Sequence, residues 1–408
     1  MGTKEFSPIL RFAVMSDCHY DEGILYVRER FRRALEIVYA YADGQGYQGL
    51  DALYVNGDFT NRGTRAQMEL FRKDVMAYLR KNTRLVLTMA NHDLHYVPDD
   101  RAPMRDFAEI FGQPYDIHTV IKGYHFISLS TEKTDANRWH DSFGEGKRRF
   151  LAHTLREAYA ENPKRPIFVF QHPGISGTIH GGRYGNDQLL DLLKPYHTVV
   201  DFSGHSHLPV SDPREIDQKD FTALSSGGLL DISYSFPALD PEVYRGEEDP
   251  TSHAHMLVVE ADGHNTVRIR KLDILAGDFF EDDILLRDLD DPDRYTYTDA
   301  RRLTEEPPRF PQGAQLSLTR EGDRLTLAIP RAEGRGSRVH VYRVTLTDGE
   351  GNTLAERLVP GDYAMLREPP VKLTHFDGIS AQDVRANVTA VGFFGKESDE
   401  LRIKNYEL

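Results

Sequence analysis

The sequence predicts an α/β fold built as a two-sheet sandwich, followed by a small all-β sandwich. Three observations carry this. Apolar β-type runs alternate with amphipathic helical stretches through the first half of the chain. Further β-type runs at 221–226, 256–260 and 266–272 supply a second sheet. From Ala314 onward the pattern changes to period-two alternation with glycine-rich turns and no convincing helix.

Five of the apolar runs end alike. Residues 10–15 lead into Asp17-Cys18-His19, 53–56 into Gly57-Asp58, 85–89 into Asn91-His92-Asp93, 166–170 into His172, and 198–202 into Gly204-His205-Ser206-His207. In open α/β sheets the ligand site lies outside the carboxyl ends of the strands, where loops converge. These side chains are therefore expected to meet. A Gly-Asp pair alone is ordinarily a turn. The repetition is what makes Asp58 a metal-ligand candidate, with Gly57 letting backbone come close to whatever that carboxylate holds. The collected set is Asp17, His19, Asp58, Asn91, His172, His205 and His207, with His92 beside them. Two aspartates, one amide and four imidazoles exceed the needs of one ion and suit two. Divalent ions about 3.5–4 Å apart need a bridging carboxylate to offset their repulsion. Asp58 is the expected bridge.

The ordered pattern Asp-x-His, Gly-Asp, Asn-His-Asp, a lone His and Gly-His-x-His resembles the calcineurin-like metallophosphoesterase superfamily over roughly residues 10 to 275. Ala90 stands where that family usually has glycine, which adds a methyl group under the Asn91-His92-Asp93 loop. The resemblance implies two divalent ions, one held by Asp17, His19, Asp58 and His207 and the other by Asp58, Asn91, His172 and His205. It implies a shared water, acidified to hydroxide, as nucleophile. It also places His92 beside the leaving oxygen as general acid, and Asp93 is expected to orient its ring. Carboxylate, amide and imidazole donors suit Mn, Fe, Zn or Co over softer copper-type sites. The expected activity is hydrolysis of a phosphodiester or phosphomonoester. The motif pattern is most similar to the class III cyclic-nucleotide phosphodiesterase branch, so a nucleotide-type substrate is preferred. The alternative is a non-catalytic binding scaffold on the same fold. Such members tend to lose ligands or the acid histidine, and here all are present.

At 408 residues the chain exceeds the size of a single core. Three parts are expected: a catalytic domain over 8–275, an acidic, proline-containing linker over 276–311, and a β-sandwich module of immunoglobulin or fibronectin III kind over 312–408. The module carries no chemical constellation and reads as a packing or recognition element. A net charge of −14 argues against a nucleic-acid polymer as partner, which would call for a basic stripe, and favours a small-molecule phosphate ester. One cysteine excludes an intrachain disulfide framework. Cys18 lies between two ligands, but the middle side chain of a strand-end Asp-x-His points to the opposite side. Lys4 and Glu5 precede an apolar run that stops at Asp17, too short for a signal peptide, and no run approaches a membrane span. A soluble cytoplasmic protein is expected.

In chain order, a helix is expected over 25–41, with Val27, Phe31, Ala34, Leu35 and Val38 on one stripe. The loop 59–63 leads to Thr64-Arg65-Ala66-Gln67, a capping-box pattern opening a helix with Met68, Phe71, Val75 and Leu79 inward. Arg62 follows the expected bridge by four residues, where a guanidinium can reach a phosphate; a solvated surface arginine is the ordinary alternative. Residues 94–115 read as a loop-rich insertion with His95 and a short helix over 104–111. A strand over 124–130 and a helix over 146–159 flank the loop 131–145, which holds Trp139 and His140 and either lines the pocket or plugs the core edge. Residues 173–185 contain five glycines and read as a mobile rim loop, with His180, Arg183 and Tyr184 as specificity candidates.

Overall fold

The five apolar runs that end in ligand-type residues all form strands. The computed structural model describes residues 6–94, 101–132, 142–233, 250–334 and 338–407. His95, Trp139 and His140 lie outside them. The chain divides into two units, the first comprising Met1–Ser233 with Pro250–Thr298, the second running on from Asp299. The first unit is built, in order, of β1 (Pro8–Met15), α1 (Leu25–Asp43), β2 (Ala52–Asn56), α2 (Arg65–Tyr78), β3 (Arg84–Thr88), α3 (Asn91–Leu94), α4 (Arg101–Phe111), β4 (Asp116–Ile121) and β5 (Tyr124–Leu129). It continues with α5 (Glu145–Glu161), β6 (Ile167–Pro173), α6 (Leu190–Leu193), β7 (Val199–Gly204), β8 (Ile216–Gln218), β9 (Thr222–Ser225), β10 (His255–Asp262), β11 (Val267–Asp273), β12 (Asp278–Phe279) and β13 (Ile284–Leu286).

Two sheets result, with strand orders β12-β11-β10-β1-β2-β3 and β4-β5-β6-β7-β9-β8; β13 also pairs with β11. β1, β2 and β3 run parallel, as do β5, β6, β7 and β9. Central strands of such sheets are covered on both faces, and every residue of β2, β6 and β7 is buried. Contrary to the sequence expectation, the runs at 221–226, 256–260 and 266–272 do not close one sheet together. β9 extends the second sheet alongside β7, whereas β10 and β11 return antiparallel to β1 in the first, with Phe12 opposite Val259. Alternation identifies a strand; its partner is a long-range choice.

Aromatic rings join the sheets face to face. Phe12 meets Phe126 and Phe168 edge-on at 5.1 and 4.9 Å, and Tyr54 stacks on Phe170 at 4.0 Å. Asn56 at the end of β2 then donates its amide to the carbonyls of Gln171 (2.9 Å) and Phe202 (2.7 Å). That stitch brings the carboxyl ends of β1–β3 against those of β6 and β7. In α1 the expected stripe is buried, and Arg30 is buried with it. The capping box of α2 is half made. Thr64 caps the Gln67 N–H at 3.3 Å, but the Gln67 side chain serves Arg62 N–H and Asp21 instead of returning to Thr64.

The stretch expected as a linker from 276 starts as sheet. β12 and β13 pair with β11, and Asp282 and Asp283 meet Lys271 and Arg270, so cations on the neighbouring strand offset the acidic run that suggested a linker. The second unit contains α7 (Arg301–Thr304), β14 (Ser317–Glu321), β15 (Arg324–Pro330), β16 (Val341–Asp348), β17 (Thr353–Pro360), β18 (Val371–Phe376), β19 (Asp383–Val391) and β20 (Leu401–Glu407). Its sheets, β14-β15-β18 and β17-β16-β19-β20, share a core of Leu318, Leu327, Ile329, Val344, Leu346, Phe376, Val384 and Val388. Among the described residues no helix is long and apolar enough to cross a membrane.

Every candidate ligand lies in the first unit, so a chain ending at Thr298 is expected to fold and bind metal as the full chain does. Circular dichroism and metal analysis of the truncated protein check this. An insoluble or metal-free product would tie the second unit to the integrity of the first.

Candidate metal centre

The strand ends make the site by unusual backbone. Of the eight non-glycine residues with positive φ among those described, five are candidate ligands: Asp17 (54°), His19 (46°), Asp58 (50°), His205 (69°) and His207 (53°). Each such residue costs about 1–2 kcal/mol and persists where its surroundings over-determine it. Here Asp17 N–H donates to the Gly57 carbonyl (3.2 Å) and His19 N–H to the Asp58 carbonyl (2.9 Å), locking two ligand loops together. Gly57 (φ 87°) is required as well: a Cβ there would lie 2.4 Å from His172 Nδ1. The group that needs the close approach is thus an imidazole. A Cβ on Gly204 would fall 1.8 Å from Ser16 Oγ, so β7 can deliver His205 and His207 only through glycine.

Donor atoms from both sheets converge. Three groups have ligand atoms all within 4.8 Å of one another: Asp17, His19 and His207; Asp58, His172 and His205; and His19, Asp58 and His92. His207 Nε2 lies 3.0 Å from Asp17 Oδ1, and His172 Nε2 lies 3.0 Å from Asp58 Oδ2 and 3.6 Å from Asp17 Oδ1. Asn91 Oδ1 is buried with no hydrogen-bond partner among the described residues, and the contacts of Asp17 Oδ1 and His172 Nε2 are with other candidate ligands. Leaving such atoms unsatisfied is costly, and oxygen and imidazole donors at this spacing fit divalent metal ions.

Outer partners orient these groups. The Asn56 carbonyl takes the His172 Nδ1 proton at 2.7 Å, which turns Nε2 toward Asp58. Asp231 takes the His207 Nδ1 proton, the carboxylate–histidine arrangement that fixes a ligand's tautomer. Asp17 Oδ2 accepts from His205 N–H (3.0 Å), and Asp58 Oδ1 from His92 N–H (2.8 Å). Burial opposes ionisation throughout, yet His207 and His172 hold the Asp17 carboxyl well below the usual range, and His172 does the same for Asp58. Burial would lower His172, but Asp58 and Asp17 lift it to about 9; His207 is likewise raised well above the usual imidazole value by Asp17 and Asp231. Burial and the His172 charge push His205 down to about 4. Asp231 lies in an apolar Leu-Leu-Asp-Ile stretch with no motif to mark it, and sequence reasoning missed it.

The calcineurin-like phosphoesterase family matches residues 10–209. Over those residues the chain matches that family, and the match supports a hydrolase acting on phosphoric esters. Among solved structures it is similar to purple acid phosphatase from yellow lupin (Lupinus luteus) seeds, at 13% identity and a TM-score of 0.50, over 69% of this chain and 55% of that one. It is also similar to a 5'-nucleotidase precursor from Thermus thermophilus, at 12% identity and a TM-score of 0.34, over 96% and 89% of the two chains. The lupin likeness is one of fold, and the chain spans only 55% of that protein's length. No curated protein matches the chain.

Within this phosphoesterase fold, Asp93 does not orient His92. Its Oδ1 accepts from Thr60 N–H (2.9 Å) and Thr60 Oγ1 (2.6 Å), its Oδ2 from Ala90 N–H (2.9 Å). It is spent on fastening two loops, and burial with the nearby Asp58 charge lifts its pKa to about 7. His92 is instead held through Nδ1 by the Asn61 carbonyl at 3.0 Å, its ring edge-on to His19 at 4.3 Å. Cys18 is buried against Met15 sulfur at 3.9 Å and in none of the three ligand groups.

Arg62, next to the carbonyl that holds His92, is exposed and its guanidinium makes no ion pair or hydrogen bond with the described residues. The segment 173–185, expected to be a mobile rim loop, holds a folded element and local contacts. It contains a 3-10 turn (His180–Tyr184), buries Ile175 and Ile179, and is closed by the Asn186 amide on the Pro173 carbonyl (2.7 Å). Its glycines serve contact: a Cβ on Gly185 would lie 1.6 Å from the Gly174 carbonyl oxygen. Buried Glu215, whose carboxyl burial and Asp212 push up to about 8, accepts from the Gly181 N–H at 2.9 Å and pins the residue after His180.

Proposed function

We propose that the protein is a dinuclear metal-dependent phosphoesterase that hydrolyses phosphodiester or phosphomonoester bonds, with nucleotide-type esters preferred. The observation that carries the reading is the convergence of donor atoms from five strand ends, with Asp58 common to two of the three groups. On this reading Asp17, His19, Asp58 and His207 hold one ion, and Asp58, Asn91, His172 and His205 the other. Bound there, ions of the Mn, Fe, Zn or Co class would supply an acidified water as nucleophile and positive field for the transferred phosphoryl group.

The side chains supply the rest. With Nδ1 engaged by Asn61, His92 has Nε2 as the atom that hands a proton to the departing oxygen. The guanidinium of Arg62, without an ion pair or hydrogen bond among the described residues, suits bidentate binding of non-transferred phosphoryl oxygens. His180, beside the pinned Gly181, is the candidate for contact with the rest of the substrate. Asp93 serves the reaction only by holding the Thr60 and Ala90 loops in place. A panel of cyclic nucleotides, dinucleotides, sugar phosphates and chromogenic mono- and diesters, offered to metal-reconstituted protein, tests the proposal. Full metal occupancy with no turnover of any member would sink it.

A pH dependence follows from the site's charges. Protons compete with metal for His172 below about 9 and for His207, whereas Asp17 and Asp58 are already ionised. Affinity is expected to fall as pH drops below about 9, roughly tenfold per unit for each proton displaced. Calorimetry in buffers of different ionisation enthalpy measures that release. Binding that neither releases protons nor changes with pH would remove both histidines from the ligand set.

A further inference from the structure

Arg30 does not belong to any ligand motif, and a buried guanidinium in a helix stripe calls for explanation. It lies over the Tyr26 ring at 4.5 Å and reaches out of α1 to two separate segments. Nη1 donates to the carbonyls of Leu229 (3.0 Å), Leu230 and His253 (3.4 Å), and Nη2 to that of Thr251. A planar fork of fixed donors can hold several carbonyls in one arrangement, which a flexible ammonium cannot.

Leu229 and Leu230 are not ordinary loop residues. Their N–H groups donate to the carbonyls of Ser16 (3.1 Å) and Asp17 (2.9 Å), at the ligand end of β1. The next residue, Asp231, carries the carboxylate on His207 Nδ1, and Ser233 N–H donates to the His207 carbonyl at 2.7 Å. The segment is thus gripped on one side by Arg30 and on the other touches Asp17 and His207, two members of one donor group.

We propose that Arg30 is a positioning residue for the metal centre: it fixes the backbone of Leu229 and Leu230 so that Asp231 orients His207, and it thereby sets the affinity of the ion that Asp17, His19 and His207 hold. The proposal rests on the dinuclear reading of the site. Arg30 acts without touching metal or substrate, through an outer-shell carboxylate whose loss typically costs about 10- to 100-fold in metal affinity.

The test is metal titration of the apo full-length chain by calorimetry with Mn²⁺, comparing wild type, Arg30→Met, Arg30→Lys, Asp231→Asn and the Arg30→Met/Asp231→Asn double variant. Arg30→Met and Asp231→Asn are each expected to weaken one of two ions by about 10- to 100-fold and leave the other unchanged, with Arg30→Lys between. The double variant should be no weaker than Asp231→Asn alone, because both changes act along one path. Equal weakening of both ions, additive losses in the double variant, or unaltered affinity would each overturn the proposal. So would failure of both Arg30 variants to fold by circular dichroism, which would assign the residue to fold stability. Wild type that binds fewer than two ions would instead strike the dinuclear reading itself.

Discussion

Asp58→Asn is expected to strip the site of both ions and abolish turnover, with a loss exceeding the 10- to 100-fold typical of outer-shell partners. The substitution isolates charge. Asp58 has a left-handed backbone (φ 50°), which asparagine tolerates as readily as aspartate, so no new strain enters. The amide can still present an oxygen to the His92 N–H, which Asp58 Oδ1 accepts at 2.8 Å. What disappears is the negative charge 3.0 Å from His172 Nε2 and shared between two donor groups. Two divalent ions held a few ångströms apart repel strongly unless an anion lies between them. Elemental analysis after dialysis, with the substrate panel run in parallel, reads both consequences. One tightly held ion in the variant, or retained activity, would remove Asp58 from the bridging position.

The candidate centre was legible because its chemistry is local. A strand end and a ligand-type side chain occupy adjacent positions, with glycine just before the ligand at Gly57 and Gly204, and five repetitions of that grammar leave little else to explain. What stayed hidden is what folding brings from elsewhere. Asn56 and Asn61 act through carbonyls, which every residue has, so no side-chain pattern marks them. Asp231 contacts His207 from 24 residues downstream. Asp93 was legible as a carboxylate beside His92, but Thr60 and Ala90 claim it, a choice set by how two loops meet.

The same distinction holds for the fold. Period and apolarity located β9, β10 and β11, yet the sheet each joins depends on which strand edge is open to it, and β10 covers the edge of β1 opposite β2. Glycine density at 174–185 reads as freedom of motion. In the structure Gly181 lies so close to Ser206 and Glu215 that a Cβ would be 2.6 Å from the serine oxygen. There glycine serves tight contact, and composition alone does not separate the two uses.

His92→Asn is expected to keep both ions and to lose about 10²- to 10⁴-fold in turnover, depending on the leaving group. Asparagine can still donate an N–H toward the Asn61 carbonyl that now takes the His92 Nδ1 proton, so the loop keeps its anchor while the transferable proton is removed. Nitrophenolate departs readily as an anion, whereas a ribose or alkyl alkoxide needs its proton. The loss should therefore be large for a nucleoside or alkyl ester and small for the nitrophenyl ester of the same type. His92 also offers a nitrogen within 4.8 Å of donor atoms of His19 and Asp58, so metal content must be measured beside the rates. Loss of an ion would make His92 a ligand. Equal losses on both esters at full occupancy would assign it to holding the phosphoryl oxygens.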